Sequence, residues 1–230
     1  MTKENWKSVW ERKGAGAAGQ RAYTEDELFA LNGYDTSLAR INAASRAFIV
    51  RNIASALALE PGRSLLEVGC GAGAILFMLR STGAQVAGVD ASASMAEIAR
   101  RALPGVEIRV AEAGSLPYPD TRFDAVLCHG VFLYFADLAY AAAALSEMLR
   151  VCRAPGRLLV GDVPDLAKKE ACLSARRAAG ASLSPEHLFY PKQFFEDFAA
   201  AHSLHVSITD QDVPGYANSP FRFNVCFERN

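Results

Sequence analysis

Residues 65–73, LLEVGCGAG, decide the fold of this chain. A short apolar run ends in three alternating glycines, and the residues that follow have helical spacing. Glycine lets a ligand approach the backbone closely, and a helix N-terminus offers unpaired N–H groups and the positive end of a dipole. Because ligands of open α/β sheets bind outside the carboxyl ends of the strands, the stretch predicts a ligand site on a strand–loop–helix unit.

Strands and helices alternate on both sides of this unit. Short apolar runs predict strands at residues 64–68, 85–89, 106–110, 122–128 and 156–161. Helical spacing predicts helices at residues 36–59, 72–81, 91–103, 137–152, 166–179 and 191–202, with Asp137 as an N-cap and Pro191 in a first turn. Buried strands separated by helices imply a parallel sheet with helices on both faces.

The two ends of the chain depart from this alternation. Strands at 204–209 and 221–227 are joined by a loop too short for a helical crossover, so they predict an antiparallel pair at the sheet edge. The predicted fold class is α/β, a seven-stranded, mostly parallel sheet with an antiparallel C-terminal strand pair. Residues 1–35 predict a short helix and a loop that forms a flap or lid, or that simply packs on the surface, ahead of one domain at 36–230.

Composition excludes several classes of partner. A net charge of -1 over 230 residues lacks the basic footprint of a nucleic-acid-binding protein. No apolar run reaches the length of a membrane span, and the charged N-terminus is unlike a secretory signal. Five widely spaced cysteines without a CxxC favour neither disulfides nor zinc. We expect a cytoplasmic protein without a metal, a membrane or a nucleic-acid partner; monomer and homodimer stay open.

Two carboxylates lie near the glycines. Asp90 ends the second predicted strand, 21 residues after Gly69, where a carboxylate can accept hydrogen bonds from both hydroxyls of a ribose. The alternative is that Asp90 only caps the helix that follows. Glu67 lies at the end of the first strand, where it would repel a diphosphate but suits a cationic ligand without phosphate.

These residues resemble class I methyltransferases that depend on S-adenosyl-L-methionine (SAM), in particular the branch that acts on small molecules. The similarity runs through ordered motifs from about residue 65 to 162 and continues more loosely to the C-terminus. It implies a Rossmann-like fold, SAM as cofactor and S-adenosyl-L-homocysteine (SAH) as product. It also implies a cofactor site made by Glu67, Gly69, Cys70, Gly71, Gly73, Asp90, Ala91, Met95, Glu112, Ala113 and Cys128.

This chain departs from the family pattern at two of those motifs. Glu112 stands where the family more often has aspartate to accept a hydrogen bond from the adenine amino group, and Ala111 replaces a glycine. The role is expected to survive, with a reach longer by one methylene. Residues 128–131, CHGV, replace the N-P-P-[YF] of relatives that methylate base amino groups in nucleic acids, which favours another acceptor.

Residues for the chemistry follow the fourth strand. His129 is the candidate general base, since an imidazole suits proton removal near neutral pH; the alternative is a purely structural hydrogen bond. Tyr134 is the candidate for orienting the acceptor, or simply packs. Candidate acceptor contacts, each with an ordinary packing alternative, are Tyr34, Phe132, His187, Tyr190 and Arg222. A guanidinium such as that of Arg222 can clamp a carboxylate or phosphate.

The predicted function is methyl transfer from SAM to a small molecule, at oxygen or nitrogen rather than carbon. Residues 216–225 resemble the ends of bacterial enzymes of specialised-metabolite or saccharide pathways. Two alternatives stay open. Residues 69–74 also satisfy the G-x-G-x-x-A of NAD-dependent oxidoreductases, although Glu67 argues against a diphosphate there. A SAM-binding protein without catalysis is the other.

Overall fold

The structure is a computed structural model that describes residues 6–17, 22–36, 38–181 and 186–230. Residues 1–5 and 18–21 of the predicted flap lie outside the described residues. So do Ser184 and Pro185, which precede the predicted acceptor contacts at 187–190.

In the described ranges, seven strands form a single sheet. They are β1 (Ser64–Val68), β2 (Gln85–Asp90), β3 (Glu107–Val110), β4 (Phe123–His129), β5 (Cys152–Pro164), β6 (His205–Asp210) and β7 (Arg222–Arg229). Their order in the sheet is β3-β2-β1-β4-β5-β7-β6. Strands β1 to β5 pair in parallel, whereas β7 runs antiparallel to both β5 and β6. The predicted fold class, with its antiparallel C-terminal pair, is confirmed.

Eight α-helices accompany the sheet within the described part of the chain. They are α1 (Trp6–Ala17), α2 (Glu25–Leu31), α3 (Ala43–Ala56), α4 (Ala74–Leu79), α5 (Ala93–Ala102), α6 (Leu138–Val151), α7 (Lys169–Ala178) and α8 (Lys192–Ala201). None of the helices in the described ranges combines the length and the apolar character needed to cross a lipid bilayer.

Both faces of the sheet are covered, which explains the nearly continuous apolar strands. Side chains alternate between faces along a strand. Leu66 and Val126 therefore point into the core that contains α6 and α8 residues, whereas Leu65 and Leu127 point into the core shared with α3, α4 and α5. The parallel strands all end at the same edge, so β1, β2 and β4 deliver their last residues to one place.

Local capping corrects several predicted boundaries. The helix predicted at 36–59 begins at Ala43, because the Asn42 side chain accepts a hydrogen bond from the Ser45 amide at 2.9 Å and fixes the first turn. The prediction of Asp137 as N-cap is confirmed. Pro191 is itself the N-cap of α8 rather than a first-turn residue.

The N-terminal segment contains two helices where one was predicted. Thr24 and Glu27 form a capping box at the start of α2. Helix α1 packs closely on the N-terminus of α5: a Cβ on Gly14 would clash with Ser94 Oγ and lie 2.9 Å from the Met95 amide nitrogen. This contact brings α1 over the carboxyl edge of the sheet, where the cavity described next opens.

Candidate active site

A cavity of about 760 Å³ opens at the carboxyl edge of the parallel strands. That volume lies within the range of small-molecule sites. One end is formed by the glycine loop, Asp90 and Glu112, and another region by His129, Tyr134, His187 and Arg222. Residues of α1 and the turn after α2 contribute to the walls. The cavity therefore lies where open α/β sheets bind their ligands.

The glycine loop needs its glycines for conformation and for space. Gly69, Gly71 and Gly73 have φ values of +75°, +56° and +83°, in the left-handed region that side chains disfavour. A Cβ on Gly69 would clash with Val131 Cγ2, and one on Gly71 would lie 2.5 Å from Asn32 Oδ1. The loop is therefore packed closely against Val131 at Gly69 and against Asn32 at Gly71, and both glycines line the cavity.

Asn32, the C-cap of α2, fastens this loop. Its Nδ2 donates to the Cys70 carbonyl at 3.1 Å, and its Oδ1 accepts from the Ala72 amide at 2.7 Å. One side chain therefore satisfies a donor and an acceptor of the loop. Its contacts tie the N-terminal segment to the strand–loop–helix unit.

Asp90 lies beside the loop at the end of β2. Its Oδ2 accepts from the Gly71 amide at 2.7 Å and its Oδ1 from the Ser92 amide at 2.8 Å. A carboxylate has about four lone-pair positions, so two stay available for further donors. Burial raises the pKa of Asp90 to about 6, against the opposing effect of these two amide bonds. The carboxylate is ionised at neutral pH and lines the cavity.

Glu67 is buried beneath the glycine loop at the end of β1. Its Oε2 has no hydrogen-bond partner among the described residues. Burial raises its pKa well above the usual range, and the nearby Asp90 carboxylate adds to this. A buried carboxyl oxygen without a partner is costly, and the raised pKa favours the protonated, neutral form of Glu67 beneath the loop.

Glu112 carries a third carboxylate to the same end. Its Oε1 pairs with Lys7 Nζ at 2.6 Å, and its Oε2 accepts from the Tyr140 hydroxyl at 3.2 Å. Because Lys7 belongs to α1, this ion pair joins the predicted flap to the rim of the cavity. The side chains of both Lys7 and Glu112 are half exposed, so the pair is weak and can open.

His129 ends β4 and faces the cavity. Its ring lies against Gly161, where a Cβ would clash with Cδ2 and lie 3.2 Å from Nε2. Nδ1 has no partner among the described residues. Burial lowers the pKa of His129, with Asp162 opposing, so the imidazole is neutral near pH 7 and can accept a proton.

Tyr134 follows in the same loop. Burial raises its pKa, so its hydroxyl keeps its proton. Its ring packs against Trp6 of α1 at a centroid distance of 4.6 Å and against His187 at 5.7 Å. Tyr134 thus links the loop after β4 with α1 and with the segment after α7.

Asp162 and Arg222 form a buried pair at the far end of the cavity. Strand β5 is irregular between Val160 and Val163, and Asp162 there has φ +59°. Such bulges re-aim side chains near functional sites. Asp162 Oδ2 accepts from the Tyr216 hydroxyl at 3.1 Å, and Oδ1 lies 3.7 Å from Arg222 Nε.

Most of the predicted site residues line this one cavity. They are Tyr34, Gly69, Gly71, Asp90, Ala91, Met95, Glu112, Ala113, His129, Tyr134, His187 and Arg222. Cys70 and Glu67 are buried behind the loop, and Gly73 is the N-cap of α4. Their contacts with a cofactor stay predictions. Such contacts would be made by the backbone of the loop.

The structure corrects two side-chain predictions. Phe132 and Tyr190 were predicted to contact the acceptor, but both are buried in the core and neither lines the cavity. Their rings pack on Phe195, and the Tyr190 hydroxyl donates to the Phe132 carbonyl at 2.8 Å. The Cys128 side chain also lies in this core, so it offers no side-chain contact to a cofactor. Burial of these large apolar side chains in the core stabilises the fold.

Three cavity residues were missed by sequence reasoning. Asn32 and Lys7 lie in a segment read as a flap, and their partners are distant in sequence. Asp162 had a readable signal, since an acidic residue interrupts the apolar run 158–163. An acidic residue within a buried strand requires partners, and here they are Tyr216 and Arg222.

The sequence of this chain is similar to known methyltransferases. Residues 66–160 match a family described as "Methyltransferase domain". Demethylmenaquinone methyltransferase of Thermus thermophilus is 41% identical over 115 residues, which cover 47% of this chain and 51% of that protein. Nocamycin O-methyltransferase of Saccharothrix syringae is 32% identical over 149 residues, 60% of this chain and 52% of that protein.

A solved structure gives the same fold. Geranyl diphosphate C-methyltransferase from Streptomyces coelicolor, in complex with Mg²⁺, geranyl diphosphate and SAH, superimposes with a TM-score of 0.60 at 19% identity, covering 80% of this chain and 79% of that one. The chain spans about half the length of the two curated relatives named above. The likeness therefore concerns the sheet and its glycine loop more than the remaining parts of those proteins.

Proposed function

We propose that this chain is a class I SAM-dependent methyltransferase and transfers a methyl group from SAM to a small organic acceptor, a proposal supported by the match of residues 66–160 to a methyltransferase-domain family. The observation that carries the proposal is the pairing of the glycine loop with the Asp90 carboxylate at one end of the cavity. SAM supplies, when bound, an electrophilic methyl group on a positively charged sulfur. Asp90 would bind the ribose hydroxyls, and Glu112 would bind the adenine amino group. The backbone of Gly69 and Gly71 would lie against the rest of the cofactor.

The charges at this end fit SAM better than a dinucleotide. Glu67, Asp90 and Glu112 place three carboxyl groups around the loop. A diphosphate would meet the ionised Asp90 carboxylate with like charge, whereas a sulfonium would be attracted to it. Calorimetric titration with SAM and with NADH separates the two. We expect micromolar binding of SAM and none of NADH; the reverse result would make the chain an oxidoreductase.

The residues beyond the loop suit an in-line displacement. Methyl transfer needs the acceptor atom, the methyl carbon and the sulfur in one line, with water excluded. An oxygen or nitrogen acceptor also loses a proton, which the neutral His129 imidazole can take. Tyr134, which keeps its hydroxyl proton, can orient the acceptor by donating a hydrogen bond. We therefore assign His129 as the base and Tyr134 as the orienting residue.

Replacing His129 by asparagine tests the base directly. We expect turnover to fall by about two orders of magnitude or more, because a positioned base contributes about 10²–10⁴-fold. SAH affinity should stay within about twofold, since no bond to the cofactor is removed. Turnover is measured as SAH release with any acceptor that the wild-type protein methylates. His205→Asn, an exposed histidine on β6, is the control, and unchanged turnover in His129→Asn would remove the base.

Residues 1–35 act, we propose, as a lid over the cofactor. Glu11 of α1 accepts from the Ser92 hydroxyl at 2.7 Å and from the Ser94 amide at 3.2 Å. Lys7 pairs with Glu112, and Trp6 packs on Tyr134. Helix α1 therefore contacts residues at both the cofactor end and the acceptor end of the cavity, as expected of a lid.

Removing the Glu11 carboxylate should loosen this lid. We expect Glu11→Gln to release SAH about threefold to tenfold faster, the effect of losing one or two modest hydrogen bonds. Stopped-flow tryptophan fluorescence measures this rate, because the two tryptophans, Trp6 and Trp10, both lie in α1. Glu97→Gln, which removes an exposed carboxylate from α5, is the matched control. An unchanged release rate in Glu11→Gln would contradict a lid role for α1.

The acceptor is, in this proposal, a small molecule methylated at oxygen or nitrogen. The near-zero net charge argues against a nucleic acid. His129 supports an acceptor that must be deprotonated. The similar proteins named above include an O-methyltransferase, which agrees with this proposal, and a C-methyltransferase, which does not. A role in specialised-metabolite or saccharide chemistry agrees with the resemblance of residues 216–225.

A further inference from the structure

Arg222 is a buried cation at the acceptor end of the cavity. It is the first residue of β7, and because β7 runs antiparallel to β5, Arg222 lies beside Pro164 at the carboxyl edge of the sheet. Its side chain is 2% exposed and lines the cavity. A hydrophobic strand therefore begins with a guanidinium placed at the ligand site.

The guanidinium lacks the hydrogen bonds that its burial demands. Neither Nε nor Nη1 has a partner among the described residues. Asp162 Oδ1 is 3.7 Å from Nε, too far for a hydrogen bond, and the other Asp162 oxygen already accepts from Tyr216. Buried donors of a charged group are costly when unmatched. Asp162 thus balances the charge of Arg222 without satisfying its N–H groups.

Other titratable and charged groups line the cavity near Arg222. Arg176 of α7 lines the same cavity. His187 is neutral, since burial and then the Arg222 and Arg176 guanidinium groups lower its pKa to about 3. Asp35, which also lines the cavity, is paired with Lys13 at 2.9 Å. Beside these residues, Arg222 keeps its unpartnered N–H groups, with Asp162 as its counter-charge.

We propose that the methyl acceptor carries an oxyanion, a carboxylate or a phosphate group, and that Arg222 binds it. Charge-assisted hydrogen bonds from a guanidinium to such a group would satisfy the unpartnered N–H groups. The anion serves as an anchor, since an oxygen held by a guanidinium is a poor nucleophile; another atom of the acceptor receives the methyl group. The inference rests on the proposed methyl transfer and names the class of its acceptor.

Three ring compounds of nearly equal size test the anchor. Benzoate, phenyl phosphate and the neutral benzamide are titrated into the SAH-bound protein by calorimetry. We expect at least one anion to bind about tenfold to hundredfold more tightly than benzamide, the effect of one charge-assisted hydrogen bond. The tighter anion identifies carboxylate or phosphate as the preferred group. Equal binding of all three, or no binding of either anion at millimolar concentration, would overturn the proposal.

Variants then assign the effect to Arg222. Arg222→Met should lose the preference for anions, whereas Arg101→Met, on the exposed side of α5, should keep it. Arg222→Lys keeps a charge opposite Asp162 and guards against misfolding; we expect a reduced preference, because an ammonium lacks the planar fork. An unchanged preference in Arg222→Met, or in Arg222→Lys if the methionine variant does not fold, would contradict the assignment.

The test of the anionic acceptor can fail or succeed independently of the test of methyl transfer. SAH binding to the wild-type protein is measured first, and its failure would contradict methyl transfer. The three probes are also titrated without SAH, so the anion preference is decided in either case. Normal SAH binding with no anion preference would reject only the anionic acceptor.

Discussion

Replacing Asp90 by alanine is expected to weaken SAH binding by about two orders of magnitude. Two of the carboxylate's acceptor positions are used by the Gly71 and Ser92 amides, and the others stay available to a ligand in the cavity that Asp90 lines. Each hydrogen bond to a charged group contributes about 1.5–3 kcal/mol, and their loss is only partly additive. A hundredfold change corresponds to about 2.7 kcal/mol. Calorimetric titration of both proteins with SAH measures it.

Asp124 provides the matched control. It accepts from the Ser64 amide at 2.8 Å and from the Ser64 hydroxyl at 2.7 Å, at the opposite edge of the same sheet. Asp124→Ala should therefore lower the free energy of unfolding by about 1–2 kcal/mol and leave SAH affinity unchanged. Equal losses of affinity in the two variants would show that Asp90 acts through stability alone.

The pH dependence of SAH affinity tests the role of Asp90 independently. Ribose hydroxyls donate to the ionised carboxylate, so bound SAH favours that form and lowers the pKa of Asp90 from its free value of about 6. SAH affinity should rise with pH up to about 6 and then level off, with a slope below pH 6 that approaches tenfold per pH unit. Asp90→Asn, which cannot titrate, should remove this slope.

Replacing Gly69 by alanine should produce the second large effect. The new Cβ would clash with Val131, whose branched side chain has little rotamer freedom. The left-handed backbone costs roughly 1–2 kcal/mol for any side chain, and overpacking adds about 1–3 kcal/mol. Val131 follows His129 and Gly130, so the displaced loop also carries the proposed base. We expect reduced SAH affinity together with a lower free energy of unfolding, measured by urea titration.

Gly62 separates backbone strain from the clash. It has φ +87° with nothing within 4 Å of an added Cβ, so Gly62→Ala measures strain alone. Gly69→Ala should be less stable than Gly62→Ala by about 1–3 kcal/mol. Adding Val131→Ala to the Gly69 variant should recover most of that difference. Equal stability of the two glycine variants would show that the loop is not packed against Val131 in this way.

The features of the fold that could be predicted depend on residues close together in sequence. The glycine loop, the place of Asp90 at a strand end and the alternation of strands and helices could be predicted, because strand and helix periods are local signals. The order of the strands within the sheet was not predicted. The capping box at Thr24 and Glu27 was equally local and was overlooked. Reading it would have placed α2 correctly and brought Asn32, at its C-terminal end, closer to notice.

The contacts that complete the site join distant parts of the chain. Asn32 binds the loop at Cys70 and Ala72, and Asp162 meets Tyr216. No local spacing encodes such pairs, since tertiary packing decides them. The same limit explains the error at Phe132 and Tyr190: an aromatic residue after a strand fits the core as well as a ligand cavity, and only the packing around Phe195 separates the two.

A crystal structure of this chain with SAH tests the central claim most directly. We expect the ribose hydroxyls to lie within hydrogen-bond distance of the Asp90 carboxylate and the adenine to lie near Glu112. The sulfur should lie over Gly69 and Gly71 and face His129. SAH bound outside this cavity, or a dinucleotide whose diphosphate rests on the three glycines, would contradict it.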